Sequence, residues 1–139
     1  MSRQNLKKYL PLDKPVMEIG PCSNPFLKKE EHDIYYADIS NAKDIAEHYK
    51  HVPAYDMTKI VPIDYVVNRT YLEAVGEKRF HAVFSSHVVE HTSNIIKHLQ
   101  EISQILVEGG ATLWQFQIKD SHLTISEKSR HFAMLIMYI

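Results

Sequence analysis

The sequence predicts an α/β domain built on a doubly wound, mostly parallel sheet, and three observations carry that expectation. Short β-prone runs alternate with segments of helical period, the pattern that builds parallel sheets. The first run, Val16-Met17-Glu18-Ile19, enters a sharp loop, Gly20-Pro21-Cys22-Ser23-Asn24-Pro25. The second run, Ile34-Tyr35-Tyr36-Ala37-Asp38, ends in an acid twenty positions after Glu18. A strand, a tight turn and an acid about 20 residues on is the layout of a nucleotide-binding βαβ unit, whose acid accepts hydrogen bonds from ribose hydroxyls. Such a loop must let backbone approach a ligand, which favours residues that tolerate positive φ. Gly20 does so, and Asn24 can.

Each element has its own signal. Residues 1–15 form a polar lead-in closed by Pro11 and Pro15. Pro15 turns Lys14 away from helix and suits entry to a strand at Val16. Residues 26–31 are too short for a long crossover helix. Beyond the second strand, Ser40 or Asn41 caps a helix in which Ala42, Ile45, Ala46 and Tyr49 recur at helical spacing. Residues 60–64 predict the third strand, ended by Asp64. Thr70 caps a short helix that stops at Gly76. Residues 80–85 are a continuous β-prone run, as a buried parallel strand requires. Thr92 or Ser93 caps a helix carrying Ile95, Ile96, Leu99, Ile102 and Leu106 on one face. Gly109-Gly110 stops it, and residues 111–116 are the fifth strand.

The 139 residues suffice for one domain with a core, and 45% apolar with 24% charged residues is an ordinary globular balance, so disorder is not expected. With a net charge of −1 and scattered lysines and arginines, no basic face for nucleic acid is expected. Cys22 is the single cysteine, which rules out an intrachain disulfide and suits a reducing compartment. No apolar run reaches the roughly 18 residues that span a bilayer, and no signal-peptide core follows the polar start. A cytoplasmic protein with no membrane partner is the expectation.

Chemistry gathers at the strand ends, where open parallel sheets bind ligands. Glu18, Asp38 and Asp64 stand on or just after three successive strands. Three acids at one edge repel unless backbone donors or a ligand satisfy them, which favours a polar, partly cationic small molecule. The fourth strand runs into Ser85-Ser86-His87-Val88-Val89-Glu90-His91, and Leu106-Val107-Glu108-Gly109-Gly110 precedes the fifth. Together with Glu18-Ile19-Gly20 and Asp38, this ordered set resembles the class I S-adenosylmethionine-dependent methyltransferases over residues 14–116. It is most similar to bacterial methyltransferase-domain proteins whose first loop reads Glu-Ile-Gly-Pro and then Asn-Pro.

That resemblance implies a Rossmann-like sheet in the order 3-2-1-4-5, S-adenosylmethionine as cofactor, and methyl transfer to an unidentified small-molecule or glycan-type acceptor. It places Glu18 and Gly20 at the methionine and sulfonium side, counts Pro21 and Asn24 among the cofactor-binding residues, and sets Asp38 at the ribose. Asp64 falls near the adenine amino group, and Ser85, Ser86 and His87 lie under the methionine moiety. Cys22 and Ser23-Asn24 stand where the family commonly has further glycine. No catalytic residue is assigned.

Three other readings are weaker. A nicotinamide dehydrogenase would want Gly-x-Gly-x-x-Gly in the loop. His87-x-x-Glu90-His91 matches the inverted zinc-peptidase signature, but needs a third ligand from few downstream acids (Glu101, Glu108, Asp120, Glu127) and leaves the earlier acids unexplained. Cys22 as a nucleophile lacks a histidine placed beside it.

The tail, residues 117–139, is atypical for the family, whose fold adds an antiparallel pair after the fifth strand. Residues 122–131 are polar without a period, and residues 132–139 are almost wholly apolar. The expectation is a chain truncated after the fifth strand and lacking the usual last two. Read two bases out of frame, codons for residues 116–131 permit Pro-Asn-Gln-Arg-Phe and Phe-Asp-His-Phe-Arg-Glu, which the family carries there. A frameshifted tail is therefore expected, and resequencing the gene tests it. Such a chain is either inactive or a non-catalytic cofactor-binding remnant, with a fifth-strand edge open to homodimerisation or covered by the apolar tail.

Overall fold

The computed structural model describes residues 3–118 and 131–138. Five strands are parallel: β1 (Val16–Ile19), β2 (Ile34–Asp38), β3 (Tyr65–Val66), β4 (Phe80–Ser86) and β5 (Leu106–Ile118). A sixth, β6 (His131–Tyr138), pairs antiparallel with β5, and the order across the sheet is β3-β2-β1-β4-β5-β6. The predicted order 3-2-1-4-5 is present, extended by one strand at the β5 edge. The apolar tail therefore covers that edge within its own chain, in register from Ala111 opposite Tyr138 to Ile118 opposite His131. Residues 119–130 lie outside the described residues.

β1 is buried at all four positions because β2 and β4 flank it and both sheet faces are covered. On one face Met17, Ile19, Val83 and Trp114 pack under α2 (Tyr71–Val75) and α3 (Ile95–Ile105), through Tyr71, Val75, Ile102 and Ile105. On the other, Val16, Tyr36, Ala82, Phe84 and Leu113 meet Phe26 and Leu27 of the first loop. There Phe26 and Phe84 pack with ring centroids 4.4 Å apart. No helix joins β1 to β2. Its place on that face is filled by this loop and by a 3₁₀ segment, Arg3–Tyr9, that buries Leu6 and sets Leu10 after it. The polar lead-in thus contributes to the core.

Three boundaries differ from expectation. The third strand is Tyr65–Val66 and not residues 60–64. Pro62 has no N–H for a ladder, and the Asp64 carboxylate takes the Tyr36 N–H at 2.7 Å while its own N–H donates to the Tyr36 carbonyl. The cap of α3 is Asn94, whose Oδ1 accepts from Lys97 N–H at 3.0 Å. Thr92 instead turns its hydroxyl to the Val88 carbonyl at 3.3 Å, closing the preceding 3₁₀ turn Val89–His91. Finally, α3 ends at Ile105 and β5 begins at once. Gly109, at φ +73°, and Gly110 form the irregularity between the Phe80–Leu106 and Ala82–Ala111 pairs. The cap at Asn41 of α1 (Ala42–Tyr49), the cap at Thr70 and the stop at Gly76 are as predicted. Among the described residues no helix is long and apolar enough to cross a membrane.

Candidate functional site

A cavity of about 720 Å³ opens at the carboxyl ends of β1, β2 and β4, within the size range of small-molecule and cofactor sites. The loop after β1 forms its base. Glu18 is only 1% exposed and does not line the cavity. Its carboxylate accepts from the Phe26 and Leu27 N–H groups at 2.7 and 3.0 Å. It ties down the far end of the loop, and the loop's near end, Gly20 to Asn24, lines the cavity. Gly20 sits at φ +68°, and a Cβ there would stand 2.7 Å from Val88 Cγ2. The chain needs glycine at this point both for the turn and for the close approach to the β4 loop. Cys22 takes φ +47° without being glycine. Burial pushes its thiol pKa up, although bonds from Ser23 oppose this; the side chain is not an activated nucleophile.

The β2 side supplies the acid and an apolar plate. Asp38 is half-buried and lines the cavity. Burial raises its pKa, against which the backbone N–H groups of Ser40 and Ile39 pull. Ile39, the next residue, lines the cavity while 78% exposed, unusual for an apolar side chain beside a strand end. α1 forms a wall: Asp44, Ile45 and His48 share one helical face toward the cavity. Tyr49 and Tyr55 continue that wall, their rings 4.6 Å apart. Tyr71, at the start of α2, is buried and also lines it, and burial pushes its hydroxyl pKa above the ordinary range.

The β4 side ends in a constrained turn. His87 has φ +59°, held by its N–H to the Gln115 carbonyl at 2.9 Å and by Nδ1 to Glu90 Oε1 at 3.1 Å. Ser86, His87, Val88 and His91 line the cavity. The His87-x-x-Glu90-His91 run crosses a single 3₁₀ turn, so its imidazoles do not stand one α-helical turn apart as the peptidase signature requires.

Of the residues predicted to form the site, Gly20, Pro21, Asn24, Asp38, Ser86 and His87 meet at the cavity. Glu18, Ser85 and Asp64 do not line it. Ser85 is fully buried one residue too early on β4, on the face that carries Val83. Asp64 precedes its strand instead of ending it, and its carboxylate holds Lys29 Nζ at 2.5 Å and Tyr36 N–H. Its distance from the cavity follows from the later start of β3. The α1 wall and Ile39 were not among the expected site residues, although a helix starting four residues after Asp38 must present one face to the strand ends. Tyr55, beyond Pro53, carries no local signal.

Comparison with known proteins gives a consistent picture. Residues 17–114 match the family model described as "Methyltransferase domain". No curated protein sequence matches. Among solved structures, a glycopeptide N-methyltransferase complexed with S-adenosylmethionine superposes with a TM-score of 0.55 at 15% identity, covering 99% of this chain and 64% of that one. A sarcosine dimethylglycine methyltransferase, so described provisionally, from Galdieria sulphuraria gives 0.57 at 15% identity, covering 86% and 48%. An S-adenosylmethionine-dependent methyltransferase from Mesorhizobium loti gives 0.55 at 15% identity, covering 82% and 52%. At such identities the likeness is one of fold, and this chain spans between about half and two thirds of the length of these neighbours.

Proposed function

The chain belongs to the methyltransferase-domain family, and from that premise we propose that its cavity binds S-adenosylmethionine for methyl transfer to an acceptor. When bound, the cofactor supplies an electrophilic methyl group on a sulfonium that is already a good leaving group. The protein's share of the work is then binding and alignment.

The observation that carries this reading is Asp38, a half-buried carboxylate at the end of β2 facing a cavity whose floor is a glycine turn. Its two oxygens accept the paired hydroxyls of a ribose. Ile39 beside it offers an apolar surface to the adenine ring. From β2 across β1 to β4 is two strand spacings, roughly 10 Å, the reach of a nucleoside with an amino-acid arm. Gly20, Pro21 and Asn24 then face that arm, with Ser86 and His87 on its β4 side. Glu18 acts at one remove, by fastening the loop. His87, oriented by Glu90, presents its imidazole at the cavity wall.

Calorimetric titration with S-adenosylhomocysteine tests the reading. The wild-type chain is expected to bind in the micromolar range, and Asp38→Ala to bind at least about tenfold more weakly, the loss of a charge-assisted hydrogen bond. A folded wild-type chain that binds nothing overturns it.

A further inference from the structure

We propose that Ser85, His98 and Trp114 form a water-binding site behind the cavity wall, where one internal water joins the ends of β4 and β5 to α3. Among the described residues, four buried side-chain polar atoms have no hydrogen-bond partner, and three of them are Ser85 Oγ, His98 Nε2 and Trp114 Nε1. The fourth, His81 Nδ1, lies near the opposite end of β4. Orphaned groups scattered at random would not fall on three residues that adjoin one another. Ser85 and Trp114 are register partners on β4 and β5, so their side chains leave the sheet on the same face. That face also carries Val83 and is the one that α3 covers. From α3, His98 sets its ring 5.9 Å from that of Trp114, centroid to centroid.

The three atoms have the chemistry that one water needs. An indole N–H only donates, a serine hydroxyl donates or accepts, and a neutral imidazole keeps one nitrogen free to accept. Burial lowers the His98 pKa, against the pull of the Glu101 carboxylate, so the ring is neutral at pH 7. A water that accepts from Trp114, donates to His98 and shares a bond with Ser85 makes the three hydrogen bonds typical of a buried water. Left unpaired, each of these atoms would carry its full desolvation cost. The position gives this water a part in shaping the cavity. Ser86 and His87, which follow Ser85, line the cavity. So does Tyr71, whose ring packs T-shaped against His98 at 5.6 Å. The inference holds whichever ligand the cavity takes.

Trp114 is the single tryptophan, so its indole N–H gives one NMR resonance that reports on this site alone. In the full chain that proton is expected to show cross-relaxation with a long-lived water. A high-resolution crystal structure is expected to place one ordered water within hydrogen-bond distance of His98 Nε2, Trp114 Nε1 and Ser85 Oγ. Ser85→Ala and His98→Phe each remove one partner, the second keeping an aromatic ring against Tyr71 and Trp114. Each is expected to shift the indole resonance and to lower the thermal midpoint by about 2–6 °C. The double variant should lose less than the sum, because both changes break the same water site. An indole proton without water cross-relaxation, or a crystal structure in which no water reaches both His98 and the two strand residues, overturns the inference. So do single variants that raise the midpoint, as the removal of a truly orphaned polar group would. Should either variant fail to fold, the wild-type resonance and crystal structure decide the matter.

Discussion

Glu18 shows how one residue can matter to a site it does not touch. Strand pleating sends it to the face opposite Met17 and Ile19, where the returning loop presents two backbone N–H groups. A glutamine there keeps one acceptor oxygen and sets an NH₂ against the second donor. Glu18→Gln is accordingly expected to cost about 2–3 kcal/mol in urea unfolding and to weaken S-adenosylhomocysteine binding through the loosened loop. Asp38 is the converse case. Its pKa is raised in the fold, so what it contributes to stability is complete below its unfolded pKa and is lost as pH rises through the folded one. Above that raised pKa its ionised form burdens the fold, a burden that the Ser40 and Ile39 N–H groups offset in part and a ligand's donors would offset further. Asp38→Asn is thus expected to leave the thermal midpoint unchanged or raise it, while weakening the ligand about 10- to 100-fold. Wild-type affinity is expected to fall as pH drops through the raised pKa, because ribose hydroxyls bind the ionised carboxylate. Calorimetry across that range checks the sign.

At the scale of elements, the site depends on two turns held close together. The Gly20 turn and the β4 loop meet at a point where a Cβ and Val88 Cγ2 would be 2.7 Å apart. Gly20→Ala should cost about 2–4 kcal/mol, from left-handed strain and the clash together. Adding Val88→Ala should recover the clash and leave the strain, a non-additivity readable in a double-mutant cycle. The start of α3 makes a sharper comparison. Asn94→Ala is expected to lose about 1 kcal/mol, whereas Ser93→Ala is expected to lose almost none, because Asn94 alone caps Lys97. The presence of this helix was legible in the period of Ile95, Leu99 and Ile102, although Leu106, which continues that period, opens β5 instead. Its first residue was not, since Thr92, Ser93 and Asn94 are all competent caps and the 3₁₀ turn claims Thr92. The third strand slipped for a similar reason: residues 60–64 are apolar enough to be a strand, but Pro62 and the Asp64 carboxylate interfere with the ladder.

On the scale of the whole molecule, β6 closes a parallel sheet with an antiparallel edge. Its eight residues pair with Ala111 to Ile118, so backbone groups of β5 that would face solvent are bonded within the chain. Removing residues 131–139 is expected to leave β5 as an open edge and to produce a concentration-dependent, self-associated species in sedimentation velocity. Hydrogen exchange should then show the outer β5 amides deprotected. A truncated chain that stays monomeric with β5 still protected would count against β6 as the cover of that edge.

Local patterning by itself determined the fold class and half of the site. The strands at residues 16–19, 34–38 and 80–85, the Gly20 turn and the Asp38 terminus all follow from short-range rules of period, turn chemistry and strand ends, and the structure keeps each of them, with the third of these strands running one residue further to Ser86. What only tertiary structure decided is which polar groups face the ligand. Glu18, Ser85 and Asp64 have the right residue types at the right strand ends, yet pleating, a one-residue offset and the late start of β3 turn them to backbone and core. Asp44, His48 and Tyr55 reach the cavity because α1 and the loop after it fold back over the strand ends. Facing is set by packing between distant segments, and no periodicity within one segment encodes it.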